Sequence, residues 1–569
     1  MSSLIYSSLR IFLQQVTGNY FRNIHVTGLI NMPMEGPTIL CCNHSNQFMD
    51  AMLIIAQCPR PLSFCFAASS FNKPIVGYLA KKINVIPVYR AEDSKMKGKG
   101  EIIMTSDTDI KGFKTKFISD IKKNKNFKLG IHSLLIQRKY KLMVEKVIDE
   151  ENIKVRSDPK VFEILKKEKK LDFYFIPKVD NSLMFKESIN KLKEGKAVCI
   201  FPEGTSHDRT HLLKLKPGVA YIALEAMANY GIKNIKLISC GFSYFGRDEF
   251  RSDLVLEFGA PFEIPESFGE AFKVNKKQAI DLVLKIVESQ MKSVILTTPT
   301  YNEYMFIKML RNLYIPDDCE ISIEKKTDLA RRISNIYNNV RDSEPAKKLK
   351  KDIIKYKGLL EKLGIEDSDL KEINLNYNIL IKKFIWSLLL LLINLIFSIP
   401  LIIILPLVKI SKDKAEEERT KALERNPNKF EAKDVVSSVK VVTFAKYLPI
   451  FGIIWSFLLY LLLKFYFLKT YNFFFLIISC AICFMVYGYI SITTIDSLNY
   501  HFEILKTIFY FFVVPKGIDN LKDMRKRLSK TTFDFINDNI KGTQYENETD
   551  RIINFKNKKK FNSKFQINL

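Results

Sequence analysis

A histidine and an aspartate follow closely on a short apolar run: Pro37 to Cys42 leads into Asn43-His44-Ser45-Asn46-Gln47-Phe48-Met49-Asp50. Imidazole is the side chain whose ordinary pKa lets it take up and return a proton near neutral pH. A carboxylate beside it fixes the tautomer and stabilises the imidazolium. Together they suit removal of a proton from a hydroxyl while its oxygen attacks an activated carbonyl. The step from His44 to Asp50 is about 600° of α-helical rotation, so a continuous helix would point them apart. The spacing therefore predicts a strand over the apolar run, His44 in a loop, and Asp50 in or near a following helix. Asn43, Ser45 and Asn46 suit that loop, because such side chains cap helices and tolerate turns.

Three further segments carry ligand-type groups. Ile83 to Arg90 reads as a strand ending in Arg90, whose guanidinium could clasp a phosphate through two parallel hydrogen bonds. A surface arginine would leave the same trace. Ala197 to Arg209 is denser: a buried strand enters Phe201-Pro202-Glu203-Gly204, then Thr205, Ser206, His207, Asp208 and Arg209. Gly204 lets backbone approach a ligand closely. Thr205 and Ser206 offer hydroxyls, and Arg209 offers charge. Lys214 and Lys216 follow, and a helix starting near Val219 would present its N-terminal dipole to an anion. The last segment, Leu237 to Phe245, is a strand opening into a loop with Arg247 and Arg251; it could wall an acyl channel or bind phosphate.

Strands and helices must alternate to position these pieces. Short apolar runs at 38–42, 85–89, 173–176, 197–201, 236–240 and 254–258 between polar helical stretches predict an α/β domain over residues 31–299. Residues 1–30 read as an amphipathic helix and a first strand, and 300–380 as a charged helical segment in which 347–361 is a solvated helix. No function follows for an insertion at 138–171. From 381 to 515 the surface chemistry changes: Phe384–Val408, Leu448–Leu468 and Phe473–Ile495 are apolar and long enough to cross a bilayer, which takes ~20 residues. Pro400 and Pro406 interrupt the first, so a re-entrant segment is a second option there. Residues 516–569 read as a basic tail.

The 569 residues include 88 Lys and Arg against 61 Asp and Glu, a formal charge of +27. That balance suits an anionic partner. The basic residues are spread, not interleaved with aromatics on a stripe, which argues against nucleic acid. The nine cysteines have no regular spacing and read as reduced thiols or small hydrophobes, not as a disulfide frame or zinc site.

In order and combination the four segments resemble the glycerolipid acyltransferase superfamily: His44/Asp50, Arg90, Phe201–Gly204, then Leu237–Gly241. The sequences around Gln47-Phe48, Ser206-His207-Asp208-Arg209 and Phe250-Arg251-Ser252 are similar to its fungal endoplasmic-reticulum glycerol-3-phosphate/dihydroxyacetone-phosphate branch. Five residues separate His44 from Asp50 where the commonest superfamily spacing is four; the fungal branch shares the longer gap. The resemblance implies a mixed sheet flanked by helices plus a C-terminal transmembrane region. It implies transfer of an acyl group from acyl-CoA to glycerol 3-phosphate, with dihydroxyacetone phosphate, a lysophospholipid acceptor or a non-catalytic membrane scaffold as alternatives. His44 would be the base and Asp50 its partner. Arg90, Glu203, Gly204, Thr205, Ser206 and Arg209 would bind substrate, with no metal and no cofactor beyond acyl-CoA as co-substrate. The protein would sit in the endoplasmic reticulum membrane as a multi-pass chain, its catalytic domain facing the cytosol.

Overall fold

The structure, a computed structural model, describes residues 2–540 except 69–70, 72–76, 78–84, 90–94, 124–130, 138–139, 167, 169, 297–299, 317–320, 322, 364–366, 368–369, 371–376, 399–404, 426–429, 467–472 and 514. Helix α1 (Ser2–Tyr20) leads to β1 (Asn23–Thr27), β2 (Thr38–Cys42), α2 (Gln47–Gln57), β3 (Leu62–Ala67) and β4 (Ile86–Val88). Then come β5 (Met96–Lys97), β6 (Glu101–Met104), β7 (Asp109–Phe113), α3 (Phe117–Lys123), β8 (Ile131–Ile136), β9 (Tyr140–Val147), β10 (Asn152–Val155), α4 (Pro159–Leu165) and β11 (Phe173–Pro177). The chain continues through α5 (Ser182–Lys193), β12 (Ala197–Ile200), α6 (Gly218–Tyr230), β13 (Lys236–Tyr244), β14 (Asp253–Phe258), β15 (Phe262–Glu263), α7 (Glu266–Val274) and α8 (Lys276–Val294).

The main sheet has the order β1-β14-β13-β2-β12-β3-β4, with β15 beside β13. From β13 to β4 every pairing is parallel, and β14 runs antiparallel to β13. Parallel strands covered on both faces read as unbroken apolar runs, and β2 (Thr-Ile-Leu-Cys-Cys) is buried throughout. Alternation then divides the side chains between two cores. Leu40, Cys42, Cys199, Ile238 and Cys240 pack with α1 and α2. Ile39, Cys41, Val198 and Leu237 pack with α5, α6, α7 and α8. The cysteines at 41, 42, 58, 199 and 240 are buried free thiols, and their burial raises every one of their pKa values.

One expected strand belongs elsewhere. Residues 173–176 lie in β11, part of a second, wholly antiparallel sheet ordered β5-β11-β8-β9-β10-β7-β6. This sheet has its own core around Leu134, Ile136, Leu142, Ile153, Phe173 and Phe175. The insertion thus runs from 96 to 177, wider than 138–171. Apolar alternation marks a strand but does not say which sheet receives it.

Beyond α8 the described chain is helical: α9 (Tyr301–Tyr314), α10 (Ile323–Val340), α11 (Glu344–Leu363), α12 (Tyr377–Ser398), α13 (Leu405–Arg425), α14 (Val436–Tyr466), α15 (Phe473–Val513) and α16 (Pro515–Ile540). Helix α11 is not merely solvated: Ala346, Leu349, Ile353, Tyr356 and Leu360 line a buried stripe at helical spacing. Residues 516–540, expected to open a tail, pack Ile518, Leu521, Leu528, Phe535 and Ile536 into that same core. Helix α14 contains a stretch, Lys433–Leu461 with its lead-in, that is long and apolar enough to cross a membrane. On α12 and α14, Trp386, Ile396, Ile453 and Phe465 are each at least 61% exposed, so large apolar surfaces face outward.

Candidate active site

The sheet order brings the sequence motifs together. β13, β2 and β12 are neighbours running the same way, so the loops after Cys42, Ile200 and Tyr244 open at one edge, as ligand sites of open α/β sheets do. At that edge His44 Nδ1 lies 3.0 Å from Asp50 Oδ2. The chain makes a tight turn between them and α2 begins at Gln47, which puts Asp50 in its first turn. Asp50 is fully buried, while the His44 side chain keeps 14% of its surface exposed. The Asn46 N–H donates to Asp50 Oδ2 at 2.8 Å, and the Tyr244 hydroxyl donates to Oδ1. Burial first, and then the Asp50 charge, push the Tyr244 phenol well above its ordinary range, so it stays a donor. The Phe201 ring stacks on the imidazole at 4.3 Å between centroids. With Nδ1 turned to the carboxylate, Nε2 is the nitrogen left for a substrate.

The Phe-Pro-Glu-Gly turn acts as a brace. Glu203, expected to bind substrate, gives both oxygens to the protein. Oε1 accepts the His44 N–H at 2.9 Å, and Oε2 accepts the Leu213 N–H at 2.8 Å and pairs with His207 Nε2. The His207 N–H donates to the His44 carbonyl at 3.0 Å. A buried carboxylate satisfied this way holds two loops in register. Gly204 adopts φ +72°, a conformation that strains other residues, and a Cβ there would fall 2.5 Å from Lys216 Nζ and displace the lysine lying over the turn.

The remaining expectations divide. Ser206 is buried and donates to Asp434 Oδ2 at 2.6 Å, so it joins the helical region rather than a ligand. Thr205 and Arg209 are exposed on the loop. Arg90 lies outside the described residues. Arg251 pairs with Asp496 and donates to the Phe21 carbonyl at 2.9 Å, a structural tie. Sequence reading missed Tyr244 as the second anchor of Asp50. It also missed Asn43, whose amide exchanges hydrogen bonds with the Phe242 N–H (2.7 Å) and carbonyl (3.2 Å) across β13. Ser438 was unforeseen as well: its hydroxyl accepts the Met49 N–H at 3.1 Å and donates to the Asn46 carbonyl at 3.3 Å. A cavity of about 840 Å³ opens beside these loops, between β13, the 207–212 loop, α9 and residues 430–433.

A carboxylate-oriented histidine at the edge of a parallel sheet, backed by Phe-Pro-Glu-Gly, is the equipment of an acyltransferase. Residues 23–107 and 160–243 match the acyltransferase family model, and 306–540 match that of the glycerol-3-phosphate acyltransferase 2 C-terminal domain. An uncharacterised acyltransferase of Schizosaccharomyces pombe is 27% identical over 562 residues, 94% of this chain and 81% of the relative. Glycerol-3-phosphate O-acyltransferases 1 and 2 of Saccharomyces cerevisiae are 27% and 29% identical, over 94% and 90% of this chain and 71% and 73% of theirs. The crystal structure of a 1-acyl-sn-glycerophosphate acyltransferase from Thermotoga maritima shares 14% identity at a TM-score of 0.27, over 51% of this chain and 80% of that one. The chain thus matches an acyltransferase domain and a glycerol-3-phosphate acyltransferase 2 C-terminal domain, and over most of its length it is similar to the yeast glycerol-3-phosphate O-acyltransferases.

Proposed function

We propose that this chain transfers a fatty acyl group from acyl-CoA to the sn-1 hydroxyl of glycerol 3-phosphate, giving lysophosphatidate and free CoA. The carrying observation is the His44–Asp50 pair, fixed by Tyr244 and Asn46 and stacked on Phe201. The likeness to the yeast enzymes over most of this chain supports the acceptor.

The acceptor hydroxyl gives its proton to His44 Nε2 as its oxygen bonds to the thioester carbon. Asp50 stabilises the imidazolium that forms. The tetrahedral intermediate then expels the thiolate, the carbon–sulfur bond breaks, and the imidazolium returns the proton to sulfur. General base catalysis of this kind contributes about 10²–10⁴-fold. The reading requires no metal, because a thioester is already activated. Arg90 and Arg209 are its candidate holders of substrate phosphate.

The bilayer is part of the proposal. The acyl chain is insoluble and the product is an amphiphile, so a site at a membrane surface suits both. The outward apolar faces of α12 and α14 and the long run in α14 support transmembrane anchoring. Acyl-CoA is cytosolic, which favours a cytosol-facing catalytic domain in the endoplasmic reticulum membrane.

The test assays the membrane fraction with labelled acyl-CoA and, separately, glycerol 3-phosphate, dihydroxyacetone phosphate and a lysophospholipid. Glycerol 3-phosphate should be acylated fastest, and His44→Ala should lose nearly all transfer while still fractionating with membranes. Wild-type rates in His44→Ala would remove the assigned base. A faster rate on another acceptor would reassign the substrate.

A further inference from the structure

Three arginines among the described residues are less than a tenth exposed: Arg60, Arg311 and Arg525. Two have plain reasons to be buried. Arg60 donates to the carbonyls of Pro33, Gly36 and Gly195, which close the loops under β2. Arg525 pairs with the buried Asp367. Arg311, 6% exposed, donates only to the Asn312 side chain, and no carboxylate faces it among the described residues. Taking a guanidinium out of water without a counter-charge is costly, so such a group is retained where an anion completes it.

Arg311 lines the cavity beside the catalytic loops. Tyr304 and Lys308 line it too, and at spacings of seven and three residues from Arg311 they share its face of α9. The opposite wall brings Arg247 and the Asn43–Ser45 segment that carries His44. Three of the acids around the cavity are engaged: Glu203 holds His44 and His207, Asp208 accepts the Glu431 and Lys433 N–H groups through one oxygen, and Glu431 pairs with Lys433. Asp248 and Glu249 also line the cavity.

From this we infer that the cavity is a phosphate-binding subsite completed by the helical region, with Arg311 and Lys308 of α9 as its anion-holding groups. A planar guanidinium donates two parallel hydrogen bonds to a phosphate, and an ammonium three residues away adds a second charge. The inference rests on the proposed activity for its ligand, since both substrates of that reaction carry phosphate. The anion is the acceptor's phosphate or a phosphate of CoA. On this account residues matched by the C-terminal family model complete the substrate site, and the region beyond the α/β domain is more than an anchor.

The experiment uses the purified full chain in detergent, with Lys308→Gln and Arg311→Gln. Binding of glycerol 3-phosphate and of CoA is measured by calorimetry, and KM for each substrate by transfer assay. The expected result is a roughly tenfold or greater weakening of one ligand with kcat changed far less, the usual scale for a lost hydrogen bond to a charged group. Loss confined to glycerol 3-phosphate identifies the acceptor phosphate, and loss confined to CoA identifies the donor. Folded variants that bind both ligands as the wild type does would overturn the inference. Should Arg311→Gln fail to fold, Lys308→Gln, at a half-buried position, decides on the same criteria. A wild type that acylates no acceptor, yet binds either ligand more tightly than the variants do, would remove the proposed activity and leave the subsite standing.

Discussion

Asp50 is held from two sides, and that decides how His44 behaves. Asn46 N–H binds one oxygen and Tyr244 the other, so the carboxylate cannot rotate away from Nδ1. Tyr244→Phe keeps the ring and removes the anchor; we expect kcat to fall roughly tenfold with little change in KM, on the scale of a hydrogen bond to a charged group. The same residue carries a pH signature. Folding raises its pKa, so its contribution to stability is intact below the ordinary phenol value near 10 and is lost as pH rises beyond it. Melting temperatures between pH 8 and 11 should therefore decline more steeply for the wild type than for Tyr244→Phe, and equal slopes would contradict the assignment. The placement of His44 in a loop and Asp50 in a following helix was legible because a continuous helix would point the two apart, and the neighbouring motifs singled the pair out. Tyr244 was not, because a tyrosine closing an apolar strand looks like any other core aromatic. Its role depends on β13 lying beside β2, which no local pattern encodes.

Elements were legible where one physical rule dominated. β2 and β12 follow from short apolar runs ended by polar loops, and the loop–helix placement of His44 and Asp50 follows from helix geometry. The rules failed where partners decide. β11 reads as a main-sheet strand until its antiparallel neighbours are known. Charged α11 reads as solvated until its Leu349–Ile353–Tyr356–Leu360 stripe meets α16, since long charged side chains mask a narrow apolar face. The apolar helices carry their own prediction. Ile453 and Phe465 on α14 and Trp386 and Ile396 on α12 leave surfaces too apolar for water. The chain should stay in the membrane pellet after alkaline carbonate extraction. Release into the supernatant would show that these faces meet protein rather than lipid.

Across the whole molecule, the segment entering α14 ties the helical region to the catalytic edge. Asp434, Ser437 and Ser438 are all nearly or fully buried against it. Ser206 donates to Asp434, Ser437 accepts from the Tyr20 hydroxyl at 2.8 Å, and Ser438 joins Asn46 and Met49. The loop that braces His44 and the long apolar helix α14 therefore form one packed unit, and they should lose structure together. Removing one partner of a buried polar pair strands the other, at a cost of about 1–3 kcal/mol. Residues in such contact couple by about 0.5–3 kcal/mol in a double-mutant cycle. Ser206→Ala and Asp434→Asn should each lower the melting temperature of the full chain, and the double variant should lose less than the sum. Acyl transfer should fall in both single variants, because the brace loosens with the tie. Additive losses of stability would mean that the two regions only touch, and the catalytic edge would then owe its order to the α/β domain alone.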